Sequence, residues 1–287
     1  MMNIMRTGLL MAALTAIFLV AGFLADEQAG MFIAFVLAAA SNLFAYWNSD
    51  RLLLAMYGAR AVDAESAPGL VRLVSRLSDA AGISLPRVYI VDNEQPNAFA
   101  TGRSPEHAAV CVTSGLLRRV NDEELVGVLA HELGHVKNRD TLPMTLTAII
   151  VSAISMFASF AFSFSGQGSN RNSFGLFGML AAAITAPIAA ILVQMAGSSA
   201  REFEADRAGA ELSGHPLWLA SALQRIDSGA IGNPTTDANP AAAFIVHPFL
   251  GGPSGFSGSH PATGERIARL QAMAAAMGPA PRPGSWA

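Results

Sequence analysis

Four long stretches without a charged side chain dominate this chain: residues 7–25, 28–49, 141–170 and 172–200. A helix needs roughly 20 apolar residues to cross the hydrocarbon core of a bilayer, and each stretch can supply them. Spans are therefore expected near 7–25, 30–47, 143–164 and 175–196. Composition points the same way. Of the 287 residues 52% are apolar and only 14% charged, with a mean hydropathy of +0.40, whereas soluble domains carry about 25% charged residues. Disorder and an ordinary water-soluble globule are both excluded. Arg6 ahead of the first stretch also fits a signal peptide. Against cleavage, Phe23 occupies the −3 position of the cut after Ala25, where a small residue is needed, and a second apolar run follows at once.

The placement of Arg and Lys predicts orientation. The connection after the first stretch carries Asp26 and Glu27, and residues 165–173 carry only Arg171. Arg6, Arg51, Arg60, Arg118, Arg119, Lys137, Arg139, Arg201 and Arg207 fall on the other side, so both termini and the polar segments should face the cytoplasm. Net charge is −3, and no basic cluster is dense enough for a nucleic-acid groove. The single cysteine, Cys111, rules out an internal disulfide and a cysteine-rich metal site.

The polar segments read as helices around a small sheet. Leu70, Val71, Leu73, Val74 and Leu77 have helical spacing within 64–81, and Gly82 stops that helix. Arg87–Val91 and Ala108–Thr113 read as short strands. Asn121 is expected to cap the next helix, with Glu124 three residues on. Further helices are expected over 199–213 and from Pro261 to Met277, with Gly-rich loops at 228–240 and 251–258. The implied division is two spans in 1–49, a first domain half in 50–142, an apolar hairpin in 143–197, a second half in 198–278, and a disordered tail in 279–287.

Within the capped helix lies His131-Glu132-Leu133-Gly134-His135. One helical turn puts both imidazoles on one face, where they can reach one ion. Glu132 sits beside that face, positioned to take a proton from an attacking water. Chance would produce such a spacing only about 0.005 times from this composition. A catalytic zinc needs a third protein ligand. Asn138 and Thr141 stand where the metzincin pattern requires glycine and histidine, so that pattern fails. The later run Arg201-Glu202-Phe203-Glu204-Ala205-Asp206 offers carboxylates: Glu202 and Asp206 share a face, and Glu204 points elsewhere. Spacing leaves two readings open. Glu202 is a ligand with Asp206 orienting a histidine, or the run is a charged amphipathic helix with Glu/Arg pairs.

The run HELGHVKNRD, the later REFEADRAGA, the segment Asn97-Ala98-Phe99-Ala100-Thr101-Gly102 and the late Ser259-His260-Pro261-Ala262-Thr263-Gly264-Glu265-Arg266-Ile267 together resemble the HtpX-type membrane zinc endopeptidases, relatives of the CAAX prenyl endopeptidases. The resemblance covers nearly the whole chain. It implies one zinc per subunit held by His131, His135 and Glu202, with Glu132 as base. It also implies a mostly α membrane protein with four transmembrane helices and a cytoplasmic zincin-like α+β catalytic domain bearing a small β-sheet. The setting implied is the bacterial inner membrane, and the substrates are misfolded or damaged membrane proteins cleaved in stress-response quality control. Besides lipid and unfolded polypeptides, a homo-oligomer is a possible partner state. Gly264 departs from the glutamate the family usually carries there, leaving Glu265 to supply the local charge.

Asn97, Ala98, Phe99 and Ala100 have two readings: a strand edge pairing with an extended substrate, or a plain turn between strands. His260 either stands near the cleft, assisting an oxyanion or capping the resting metal, or simply starts a helix before Pro261. Asp140 is expected to position the metal helix. His107, His215 and His247 read as loop or helix-boundary residues. Three rivals remain: a site-2-type intramembrane protease, a non-enzymatic scaffold or chaperone with a vestigial metal site, and a transporter. Asp122, Glu123 and Glu124 before the motif and Lys137, Arg139 and Asp140 after it argue against the first. Retention of Glu132 argues against the second, and the lack of mid-span ionisable residues against the third.

Overall fold

A computed structural model describes residues 2–150, 199–228 and 262–278. Helix α1 (Met2–Met56) breaks only at Asp26 and Glu27, whose backbone angles leave the helical region. The two arms fold back on one another. Gly22 and Gly30 allow this, because a Cβ on Gly22 would run into the Gly30 carbonyl oxygen and the Ala34 Cβ. Lower down, the Asn42 amide donates to the Thr15 hydroxyl at 2.9 Å and the Met11 carbonyl at 3.3 Å. Among the described residues one helical stretch, Asp26–Met56, is long and apolar enough to cross a membrane; Thr7–Ala16 is a shorter apolar stretch.

The second arm runs past residue 49, where the charge-free stretch ends. It continues because Leu53 and Leu54 pack on the sheet while Asp50, itself buried, pairs with Arg87. The sheet comprises β1 (Arg60–Val62), β2 (Arg87–Val91), β3 (Ala98–Gly102) and β4 (Ala108–Thr113), in the order β1-β2-β4-β3. β2 and β4 are parallel and the other pairs antiparallel. Period-two alternation divides it. Val88, Ala98, Ala100, Val110 and Val112 join the main core, whereas Val91, Phe99, Ala109 and Cys111 meet the foot of α1 on the other face.

Sequence spacing recovers β2 and β4 and leaves β3 as strand edge or turn. β3 is a strand at the sheet edge. It is recognisable only through its partner, because its register is set by β4, with Phe99 opposite Cys111. Helix α2 (Pro68–Ala81) begins later than residue 64, since Asp63 folds the preceding segment into a turn by accepting from the Glu65 and Ser66 amides. Pro68 then disfavours helix at Ala67 and suits the first helical position.

After the short α3 (Ser114–Arg119), α4 (Asp122–Lys137) starts at a full capping box: Asn121 accepts from the Glu124 amide and Glu124 from the Asn121 amide, at 2.8 and 3.0 Å. α4 is buried almost all round, from Val126 to Val136. Each fully buried leucine, such as Leu129 or Leu133, contributes about 1.5–3 kcal/mol. Around α4 pack the sheet, α2, α6 (Ser199–Ser213) and α7 (Pro216–Ser228), with α8 (Thr263–Met277) against α6 and α7.

The third expected span begins as α5 (Thr141–Ile150), but its first turns face protein. Thr141 donates to the Gly102 carbonyl at 2.8 Å, and the Thr145 hydroxyl meets that of Thr101 at 2.9 Å. A charge-free run thus opens inside the domain, its hydroxyls bonded to the C-terminal end of β3. The rest of the expected hairpin, both Gly-rich loops, His247, His260 and the tail lie outside the described residues.

Candidate metal centre

Two helices build the centre. α4 contributes His131 and His135 one turn apart, and α6 crosses it closely enough to bring Glu202 opposite them. Close approach depends on glycine: a Cβ on Gly209 would lie 2.8 Å from the His131 nitrogen, and one on Gly134 3.1 Å from the Ala205 oxygen. The His131 and His135 Nε2 atoms are 3.2 Å apart, and each lies 3.6–3.7 Å from a Glu202 carboxylate oxygen. All three ligand atoms fall within 4.8 Å of one another, and all three residues are buried.

Carboxylates face the far ring nitrogens. Asp206 Oδ1 is 2.9 Å from His131 Nδ1, and both Asp140 oxygens are 3.1 Å from His135 Nδ1. A carboxylate can only accept, so each Nδ1 carries a proton, and each Nε2, once rid of its own, presents a lone pair. Two such lone pairs facing at 3.2 Å repel unless a proton or a metal ion lies between them. Ligands about 2.0–2.1 Å from a tetrahedral zinc are themselves separated by about 3.3–3.4 Å. The donor set therefore fits such an ion in charge, chemistry and spacing.

The site's electrostatics express the same demand for positive charge. Burial alone would lower the pKa of His135, but Asp140 above all, then Glu202 and Glu132, push it up to about 10. Burial raises Glu132 above the usual carboxylate range against the pull of His131 and His135, with Glu202 adding to the rise. The backbone N–H of Ala100 faces this carboxylate, while its Oε1 is buried without a hydrogen-bond partner. Asp206 is held low despite its burial, chiefly by Arg266 and His131.

Sequence candidates separate cleanly in space. His131, Glu132, His135, Glu202, Asp206 and Ala100 converge. Glu204 faces solvent and pairs with Arg207 at 2.8 Å. Asn97 is buried, its backbone bonded to Thr113. The Phe99 ring packs on Tyr57, with centroids 4.8 Å apart, on the α1 side of the sheet. Ser104 contacts His107, and His215 stacks on Trp218.

Two residues matter more than sequence spacing indicates. Asp140 reaches His135 because Arg139 takes a left-handed conformation (φ 57°), turning the chain back after α4. Arg266, 2% exposed, grips Asp206 with two hydrogen bonds of 2.6 and 2.8 Å. The local charge expected from Glu265 points outward instead, to Arg269 at 2.9 Å. Helical phase carries the missing signal: Arg266 lies on the buried face with Leu270, and an arginine there needs an acidic partner.

Beyond this geometry, the solved structure of Ste24p from S. mikatae is similar in fold, with a TM-score of 0.50 at 17% identity. The likeness covers 90% of this chain and 62% of that one. Residues 64–274, which contain strands β2 to β4, both ligand helices and Arg266, match peptidase family M48. Spanning well over half of the chain, that match places the protein in peptidase family M48.

Proposed function

We propose that the protein is a membrane-bound zinc endopeptidase that hydrolyses peptide bonds in misfolded or damaged membrane proteins. The observation that carries the proposal is the buried His131, His135 and Glu202 triad with a second carboxylate, Glu132, beside it. A purely structural ion would have no use for that extra carboxylate.

His131, His135 and Glu202 would hold the ion. Bound zinc supplies the Lewis acidity that polarises a scissile carbonyl and activates water. Glu132 takes the proton of the attacking water, helped by burial that makes it more basic than an exposed carboxylate, and passes it to the leaving amine. Asp206 and Asp140 fix the ring orientation and tautomer of the two histidines. Extended substrate would run along β3, whose backbone flanks Glu132. Part of that edge is already engaged, at Ala100 by Glu132 and at Gly102 by Thr141. Any contact from Asn97 to Ala100 therefore falls to the remaining backbone groups. His260 is assigned to the cleft by resemblance alone.

Family membership and the apolar α1 arms support the membrane setting. The charge-free stretches favour four spans, the charge asymmetry favours cytoplasmic termini and catalytic domain, and the resemblance implies a bacterial inner membrane. The intramembrane alternative is disfavoured by the location of α4, which packs among the sheet and helices α2, α6 and α7. Resemblance supports the quality-control role. Glu132→Gln is the direct test: zinc content stays at the parent level while caseinolytic activity falls by several orders of magnitude. Activity within tenfold of the parent would overturn the assignment.

A further inference from the structure

Arg266 is the one guanidinium, among the described residues, buried to 2% exposure at the centre of the fold. Its Nε and Nη2 hold both oxygens of Asp206 at 2.8 and 2.6 Å, and its Nη1 lies 3.7 Å from Glu202 Oε2. Asp206 in turn faces His131 Nδ1. A single side chain thus hydrogen-bonds the acceptor that orients a histidine ligand and lies within ion-pair distance of the carboxylate ligand. It arrives from the first turn of α8, a helix that supplies none of the three ligands. Four carboxylates (Glu132, Asp140, Glu202 and Asp206) crowd this buried volume, and Arg266 brings a permanent positive charge among them. Its planar fork matches Asp206 in a way an ammonium group cannot.

We propose that Arg266 is a positioning residue through which docking of α8 and metal occupancy are coupled. With α8 seated, Asp206 is aimed at His131 and Glu202 is held beside both imidazoles. With α8 displaced, two carboxylates lose their counter-charge and the donor set loses its alignment. Coupling is reciprocal, so bound metal must also tighten α8. The inference rests on the zinc reading above and adds regulation of the same site by a helix outside the ligand set.

The test uses the full-length, detergent-solubilised protein, with zinc affinity measured by competition against a chromophoric chelator. Amide hydrogen exchange of residues 263–277 is followed in zinc-loaded and zinc-stripped samples. Zinc is expected to slow exchange across α8 in the parent protein. Arg266→Gln should weaken zinc roughly 10–100-fold, as losing an outer partner of a metal ligand does, and abolish that protection. Arg266→Lys should recover part of the affinity. Arg269→Gln, on the outer face of the same helix, should leave affinity unchanged. Exchange in α8 that is indifferent to zinc in the parent overturns the proposal, whether or not the variants fold. So does zinc affinity within threefold of the parent in Arg266→Gln, or an equal loss in Arg269→Gln. A parent protein that binds no zinc would instead refute the metal reading itself.

Discussion

Gly209→Ala tests whether the contact between α4 and α6 sets the metal geometry. The new Cβ would lie 2.8 Å from the His131 nitrogen, 2.9 Å from its Cα and 3.0 Å from the Ala130 carbonyl carbon. Ordinary contacts are about 3.5–4 Å, and all three atoms are backbone in the middle of a buried helix, so α6 has to recede by roughly 0.5–1 Å. Overpacking of this kind costs about 1–3 kcal/mol. Alanine is favoured over glycine in a helix interior by about 0.8–1 kcal/mol. The net expectation is about 0–2 kcal/mol of destabilisation, with roughly 2–4 °C of melting temperature lost per kcal/mol. Function should be affected more than stability. Glu202 lies seven residues earlier on the same face of α6, so the recoil carries it away from His131 and His135. Thermal unfolding and zinc competition on purified protein measure both effects. Gly264→Ala is the control, because nothing lies within 4 Å of its Cβ position; it should melt no lower than the parent. A Gly209→Ala protein with parental melting temperature and zinc affinity would refute the reasoning.

Three further outcomes are expected. Glu202→Ala should lower zinc occupancy severely while Glu204→Ala, altering only an exposed pair with Arg207, should hardly change it, as metal analysis of both variants will show. Asp140→Asn keeps the shape beside His135 but removes the charge, and should weaken zinc about 10–100-fold in chelator competition. His260→Ala should slow peptide turnover roughly tenfold to a thousandfold if its imidazole assists an oxyanion, or raise activity on unfolded substrates if it caps the resting metal; unchanged kinetics would remove it from the cleft.

Local signals determined much of this protein. Asn121 and Glu124 are close enough in sequence to form their capping box without help, and helical spacing alone puts His131 and His135 on one face. The face of Glu202 and Asp206, opposite to that of Glu204, follows from the same periodicity. β2 and β4 are legible because their β-branched residues lie together in short runs. What spacing could not decide was every relation across the chain. Whether Glu202 faces a metal or solvent depends on how closely α6 crosses α4, which Gly134 and Gly209 permit only in the packed state. β3 becomes a strand through its register with β4, and the threonines of α5 read as lipid-span residues until they bond to that strand. Arg266 illustrates the limit most clearly. Its helical phase predicts burial, but its acidic partner lies sixty residues earlier on another helix. A buried charge can be recognised from one helix alone, whereas the group that neutralises it is chosen only when the helices pack and water is excluded.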